Sequence, residues 1–108
     1  MMRKIAEVPE PNRVEIVRAM IYDAQDGSGT YLFLYNALQD GPCTFDYWYE
    51  TRSEAEEHCA EQFGIGPSDW QLIDDPRPGC QHDWIAPVRV KRDTKGNPLW
   101  GEFEPLND

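Results

Sequence analysis

The chain is short of positive charge: 10 lysines and arginines stand against 20 aspartates and glutamates in 108 residues. A protein that grips a phosphate backbone needs a basic footprint, so direct nucleic-acid binding is not expected. Long apolar runs are also missing. No stretch approaches the roughly 18 residues that mark a membrane-spanning helix, and the opening MMRKIAEVPEP lacks the apolar core of a secretory signal. We therefore expect a cytoplasmic chain with no membrane association. Cysteine is scarce, at three. An odd number in a chain without an export signal reads as reduced thiols rather than a disulfide framework. Neither CxxC nor HxxxH occurs, and there is no nucleophile elbow, phosphate loop or dinucleotide fingerprint. Neither a cofactor nor an enzymatic activity is expected.

What the chain does have is enough apolar residue, 40% of the total, for one domain of 12.5 kDa. Area scaling at this size buries roughly 65% of the extended chain's surface, which suits one core and a shallow site. The acidity is uneven. Residues 23 to 83 hold two basic and thirteen acidic groups, a net charge of −11, while the flanking segments are nearly balanced. That asymmetry marks the middle as either a solubilising surface or a contact for a basic partner.

EVPEPN, residues 7 to 12, has two prolines and no apolar period, so residues 1–12 are expected to be a mobile lead-in. One α+β domain is expected over 13–103, with a tail at 104–108. RVEIVRAMIY alternates Val14, Ile16, Met20 and Tyr22 with Val17, Ala19 and Ile21, a strand covered on both faces. DAQDGSG supplies a reversal and TYLFLYNAL a second strand. After QDGP, TFDYWYE alternates Phe45, Tyr47 and Tyr49 with Asp46 and Trp48, a third strand of an antiparallel meander. Thr51 with Glu54 and Ser53 with Glu56 form overlapping capping boxes, and the pattern predicts a helix over about 53–63. Ala55, Cys59 and Phe63 fall within about 80° of one another, opposite Glu54, Glu57 and Glu61. Gly64 sits where a left-handed cap belongs. Trp70, Leu72 and Ile73 follow as a short strand with core candidates, and WIAPVRVKRD with NPLWGEF as a terminal hairpin. The architecture expected is an antiparallel sheet of three to five strands with one main helix on one face.

FDYWYETRSEAEEHCAEQFGI followed by SDWQLI resembles a pattern of small bacterial proteins of an uncharacterised family: Asp, Trp, a threonine helix start, Glu-Ala, then Phe-Gly-Ile and Asp-Trp. The resemblance covers residues 45–73. It implies a small α+β domain with strands before the helix, and it implies no activity. Asp46, Trp48, Phe63, Gly64 and Trp70 are then structural positions, and Tyr49 stands where histidine is common.

His58 and Cys59 point about 100° apart on the helix, so they cannot share a metal ion, and Cys59 belongs to the buried stripe. Cys59 is expected to resist thiol reagents and the loop residue Cys80 to react faster. Cys80 and His82, two apart in an extended loop, together with Cys43 form the best alternative, a small metal-binding or catalytic site. DAQDGSG fails the calcium-loop pattern, because Gly27 is fifth and Leu34 twelfth from Asp23. The stronger reading is noncatalytic: a small acidic binding protein of the inhibitor, immunity or charge-mimic kind, engaging a basic protein partner through Glu54, Glu57, Glu61 and Trp48. Trp48 with Val17, Ala19 and Ile21 would form an apolar patch that a homodimer buries, unless Trp84, Leu99 and Trp100 cover it.

Overall fold

Two antiparallel sheets and one twelve-residue helix organise the residues described by the computed structural model, 2–78 and 80–105. The expected meander is its centre: β2 (Arg18–Asp23), β3 (Thr30–Tyr35) and β4 (Phe45–Tyr49) pair in succession. The strands' alternation feeds two cores at once. Ala19, Ile21, Leu32 and Leu34 pack on the helix side, and Met20, Tyr22, Phe33 and Tyr35 on the other. In the β2–β3 turn, Asp23 accepts from the Gln25 N–H and Asp26 from the Ser28 N–H, while Gly27 takes φ +88° and Gly29 φ +109°.

Helix α1 (Arg52–Phe63) starts where its capping signal places it, with Thr51 Oγ1 accepting from the Glu54 N–H at 3.3 Å. It ends at Gly64 in the left-handed region, φ +68°, where the Gly64 and Ile65 N–H groups bond the Ala60 and Cys59 carbonyls. Ala55, Cys59 and Phe63 are its buried residues, as the spacing requires. The second capping box does not form; Glu56 instead accepts from Lys4 Nζ. The fold is therefore α+β, with one main helix on one face of a five-stranded antiparallel sheet.

The expected mobile lead-in over 1–12 is corrected. β1 (Met2–Glu7) lies inside the sheet, between β2 and the short β5 (Gln71–Ile73), giving the order β4-β3-β2-β1-β5. The domain thus begins at residue 2 among the described residues. The apolar period was hidden because two charged residues occupy sheet-facing positions. Lys4 bonds Glu56 and lies 4.9 Å from the Trp70 ring, and Arg3 is only 2% exposed. The stretch from Arg13 to Val17 departs from the expected strand for a local reason. The Asn12 side chain clasps both the N–H and the carbonyl of Ile16, and Glu15 adopts φ +57°. Ile16 therefore packs with Ala19 and Ile21 rather than with Met20, and Val14 is exposed.

The second sheet face is covered, but not by the terminal hairpin. β6 (Val88–Arg92) and β7 (Pro98–Pro105) make a separate two-stranded sheet, with Trp84 and Phe103 rings 5.3 Å apart at its root and Trp100 79% exposed. β7 also carries ordered structure past the expected boundary at 103; the rest of the expected tail, 106–108, lies outside the described residues. Residues 80–86 are the cover, a strap laid across Tyr22, Met20 and Tyr35. His82 stacks on Tyr22 at 4.7 Å and 7° between planes, and Ile85 packs on the Met20–Phe33 cluster. Leu72, expected in the core, is 70% exposed at the β5 edge.

Arg3 holds the strap. Its Nε donates to the Asp74 carbonyl at 2.8 Å, Nη1 to those of His82 and Trp84, and Nη2 to that of Ile85 at 3.4 Å. Burial lowers its pKa, opposed by Tyr35 and by Asp75, Asp40 and Asp74. Asp40 caps the strap's end by accepting from the Ile85 and Ala86 N–H groups, both at 2.9 Å, and the Tyr35 hydroxyl donates to the Asp83 carbonyl. Arg3→Met leaves four carbonyls without their donor and is expected to destabilise the fold by about 3 kcal/mol in urea denaturation. Arg3→Lys is expected to recover less than half of that loss, because an ammonium lacks the planar fork. An Arg3→Met change below about 0.5 kcal/mol would show that the clamp is incidental.

Candidate interaction surface

Sheet order puts β4 at an edge, and none of its five residues is fully buried. Such an edge offers unpaired backbone donors and acceptors. Its aromatic residues point both ways. Phe45 (42% exposed) and Tyr47 (45%) face the helix side, opposite Leu34 and Leu32, whereas Trp48 (52%) faces the strap side, opposite Tyr31. Between β4 and α1 runs a groove of about 620 Å³ whose walls include Val14, Phe45, Tyr47, His58 and Phe63, with Arg13 also lining it. His58 sits among the rings of Tyr49, Tyr47 and Phe63, at 5.8, 6.1 and 6.3 Å between centroids. It is a packing residue at the groove wall, and Cys59 beside it points into the core.

The carboxylates gather around this edge. Glu54, Glu57 and Glu61 are exposed on α1. At 100° per residue, Glu54 and Glu61 flank the groove side next to His58, and Glu57 lies farther outward. Asp46 on β4 and Glu50 after it add two more exposed carboxylates. Among the described residues neither Glu57 nor Glu61 enters an ion pair, whereas Glu56 is held by Lys4 and Arg52. Glu54 differs from the other two because its Oε1 accepts from the Thr51 hydroxyl at 3.3 Å, at the helix start where negative charge is favourable.

Trp48 is rigidly held. Its Nε1–H donates to the Ser28 carbonyl at 3.0 Å, and a Cβ on Gly29 would collide with its indole. The expected patch of Trp48 with Val17, Ala19 and Ile21 is corrected by the register. Trp48 lies opposite Tyr31, and Tyr31 opposite Tyr22, whereas Ala19 and Ile21 face the helix. Trp48 therefore borders an aromatic row that ends under His82 of the strap. The groove itself was missed in the sequence. The alternation of Phe45 and Tyr47 was visible, but nothing in a sequence says that their strand is an edge.

Cys43, Cys80 and His82 do not assemble. Cys43 lies beside Asp83, whose carboxylate accepts the Cys43 N–H at 2.8 Å; Cys80 is buried in a small cavity near Arg3 and Trp84; His82 is stacked on Tyr22. Among the described residues no group of three or more His, Cys, Asp and Glu side chains is arranged to hold a metal ion. The expectation that Cys80 reacts faster than Cys59 gains no support from exposure, since Cys59 and Cys80 are both buried and Cys43 is half-buried. Burial raises the Cys43 thiol to about 12, helped by Asp83, and burial raises Cys59 to about 12. Comparison with protein-family models, with curated proteins and with solved structures finds no match to the chain.

Two outcomes follow from this geometry. Gly29→Ala forces Trp48 off its seat at a positive φ, and is expected to cost about 1–3 kcal/mol and to change indole fluorescence. An unchanged emission spectrum would mean that the indole is not held there. For Cys43 and Cys59, a rise from 9.0 to about 12 leaves about a thousandfold less thiolate at pH 8, so native labelling of both should be slow, with half-buried Cys43 ahead of Cys59. The sign for Cys59 is definite: below pH 9 both states hold the proton, and above it only the folded state keeps it. Stability is therefore lost between pH 9 and about 12, and Cys59→Ala should flatten that part of the pH profile.

Proposed function

We propose that the chain is a small acidic, noncatalytic binding protein whose contact surface is the β4 edge with the outer face of α1, and whose partner is a basic protein. The carrying observation is that exposed Glu57 and Glu61, without ion-pair partners among the described residues, stand on the outer face of the helix whose His58, Gln62 and Phe63 wall a half-exposed aromatic groove. Aromatic side chains supply burial and carboxylates supply selectivity and rate, the usual division at such surfaces. Trp48 contributes from the far side of the same edge. An inhibitor, an immunity-type protein or a mimic of nucleic-acid charge would use a surface of this kind. The proposal places the protein in the cytoplasm, with neither nucleic acid nor membrane as its direct partner. Among the described residues, no helix is long and apolar enough to cross a membrane. The resemblance of residues 45–73 to an uncharacterised bacterial family adds no chemistry to this reading, and no observation favours the metal or catalytic alternative.

Proteins retained from source-cell lysate at low salt and released at high salt supply the partner for the test. Screening over a Debye length of about 10 Å at 0.1 M should weaken association steeply with ionic strength. Glu57→Lys with Glu61→Lys is expected to weaken binding at least about tenfold while leaving the thermal midpoint unchanged, because solvent-facing charges contribute little to folding. Glu54→Lys should also weaken binding, but with a loss of about 0.3–1 kcal/mol in helix stability. Wild-type affinity in the Glu57→Lys, Glu61→Lys variant would refute the acidic surface.

A further inference from the structure

We infer that the basic strand of the terminal hairpin, β6, adds as a sixth strand to the β4 edge of a second copy of this chain. The inference rests on the acidic-surface reading but gives that surface another occupant than a separate basic protein: a basic segment of a chain whose own net charge is −10. The hairpin is an arm: β6 and β7 bond to each other and to no strand of the larger sheet, and the molecule measures 46 × 31 × 22 Å. β6 pairs with β7 alone, and its Val88 carbonyl accepts from the Gln81 N–H at 2.8 Å, so Arg89–Arg92 is the stretch without a second partner strand; both β6 and β4 are five residues long. β6 reads VRVKR. Arg89 is neutralised by Glu104 at 2.8 Å, but Lys91, Arg92 and Lys95 have no carboxylate partner among the described residues. The chain's unpaired basic strand thus matches its acidic edge in length and in charge.

Strand addition is favoured over a simple charge contact because the β4 edge displays groups on both sheet faces. Phe45 and Tyr47 stand on the groove side, with His58 and Gln62 of the helix and Glu61 on the helical turn between them, and Asp46 and Trp48 stand on the other. Only an extended segment lying along the edge reaches both sets, since its side chains alternate between faces. Direct pairing of two β4 strands would bring Asp46 and Glu50 of each copy together, so like edges repel where unlike edges attract. A reciprocal exchange of arms closes as a two-fold dimer in which the same contact is made twice.

Sedimentation velocity of the full chain at low and high salt tests this, together with two charge variants. The wild type is expected to associate with rising concentration at low salt and to dissociate at high salt. Lys91→Glu with Arg92→Glu, and separately Asp46→Lys with Glu61→Lys, should each weaken association by about tenfold or more, and an equimolar mixture of the two should restore it. Lys91→Glu with Lys95→Glu repeats the first variant while keeping the Arg92 bond to the Gly96 carbonyl. Amide exchange of Phe45–Tyr49 should slow by about tenfold in the associated state. A monomer at every concentration, association indifferent to both charge variants, failure of the mixture, or unchanged β4 exchange would each overturn strand addition. None of those results touches the acidic surface, which falls only if a basic partner ignores Glu57→Lys and Glu61→Lys.

Discussion

A buried guanidinium is costly without partners, and each nitrogen of Arg3 finds at least one, on the carbonyls of Asp74, His82, Trp84 and Ile85. That demand draws a loop with no regular structure of its own onto the second face of the sheet. Once there, the strap covers Met20 and Tyr35 and sets His82 over Tyr22. Asp40 and Asp83 tie the strap to the loop after β3 through the Ile85, Ala86 and Cys43 N–H groups. One polar residue in the first strand thus holds the cover on the face that α1 leaves open.

The consequence for function is an asymmetry. Among the described residues, α1 covers one face and the strap covers Met20 and Tyr35 on the other, while the β4 edge keeps its aromatic side chains half-exposed. Edge strands are commonly blunted by charge, and here carboxylates outnumber cations: Asp46 and Glu50 on the strand side and Glu54 and Glu61 on the helix side, against Arg13 in the groove lining. In the proposed function, such an edge rejects its own kind and admits a basic segment. Rigid seating of Trp48 on the Ser28–Gly29 backbone keeps one aromatic group presented without a large ordering cost on binding.

The parts of the fold legible from sequence were those in which apolar period and local chemistry agreed. The meander alternates cleanly, and Thr51, Glu54 and Gly64 mark the ends of α1 as their chemistry requires. β1 was illegible because Arg3 and Lys4 replace apolar residues at buried or half-buried positions, with partners 52 or more residues away. The Arg13–Val17 stretch misled because a side-chain clasp from Asn12 overrode a strand-like alternation. Of the site, the acidic helix face followed directly from the 100° spacing. Its neighbour, the groove of Phe45, Tyr47 and His58, depends on sheet order, which no local pattern encodes. The Trp48 patch failed for the same reason, since knowing which residues share a face across strands needs the register.

Native-state hydrogen exchange of the lone chain at low concentration and high salt tests the central claim, that a clamped strap closes one face and leaves the β4 edge open. The account predicts that the Ile85 and Ala86 amides, held by Asp40, are protected together with those of β1, while at least two outward amides of Phe45–Tyr49 exchange near solvent rates. Free-loop exchange at Ile85 and Ala86, or full protection along β4 in the isolated monomer, would contradict it.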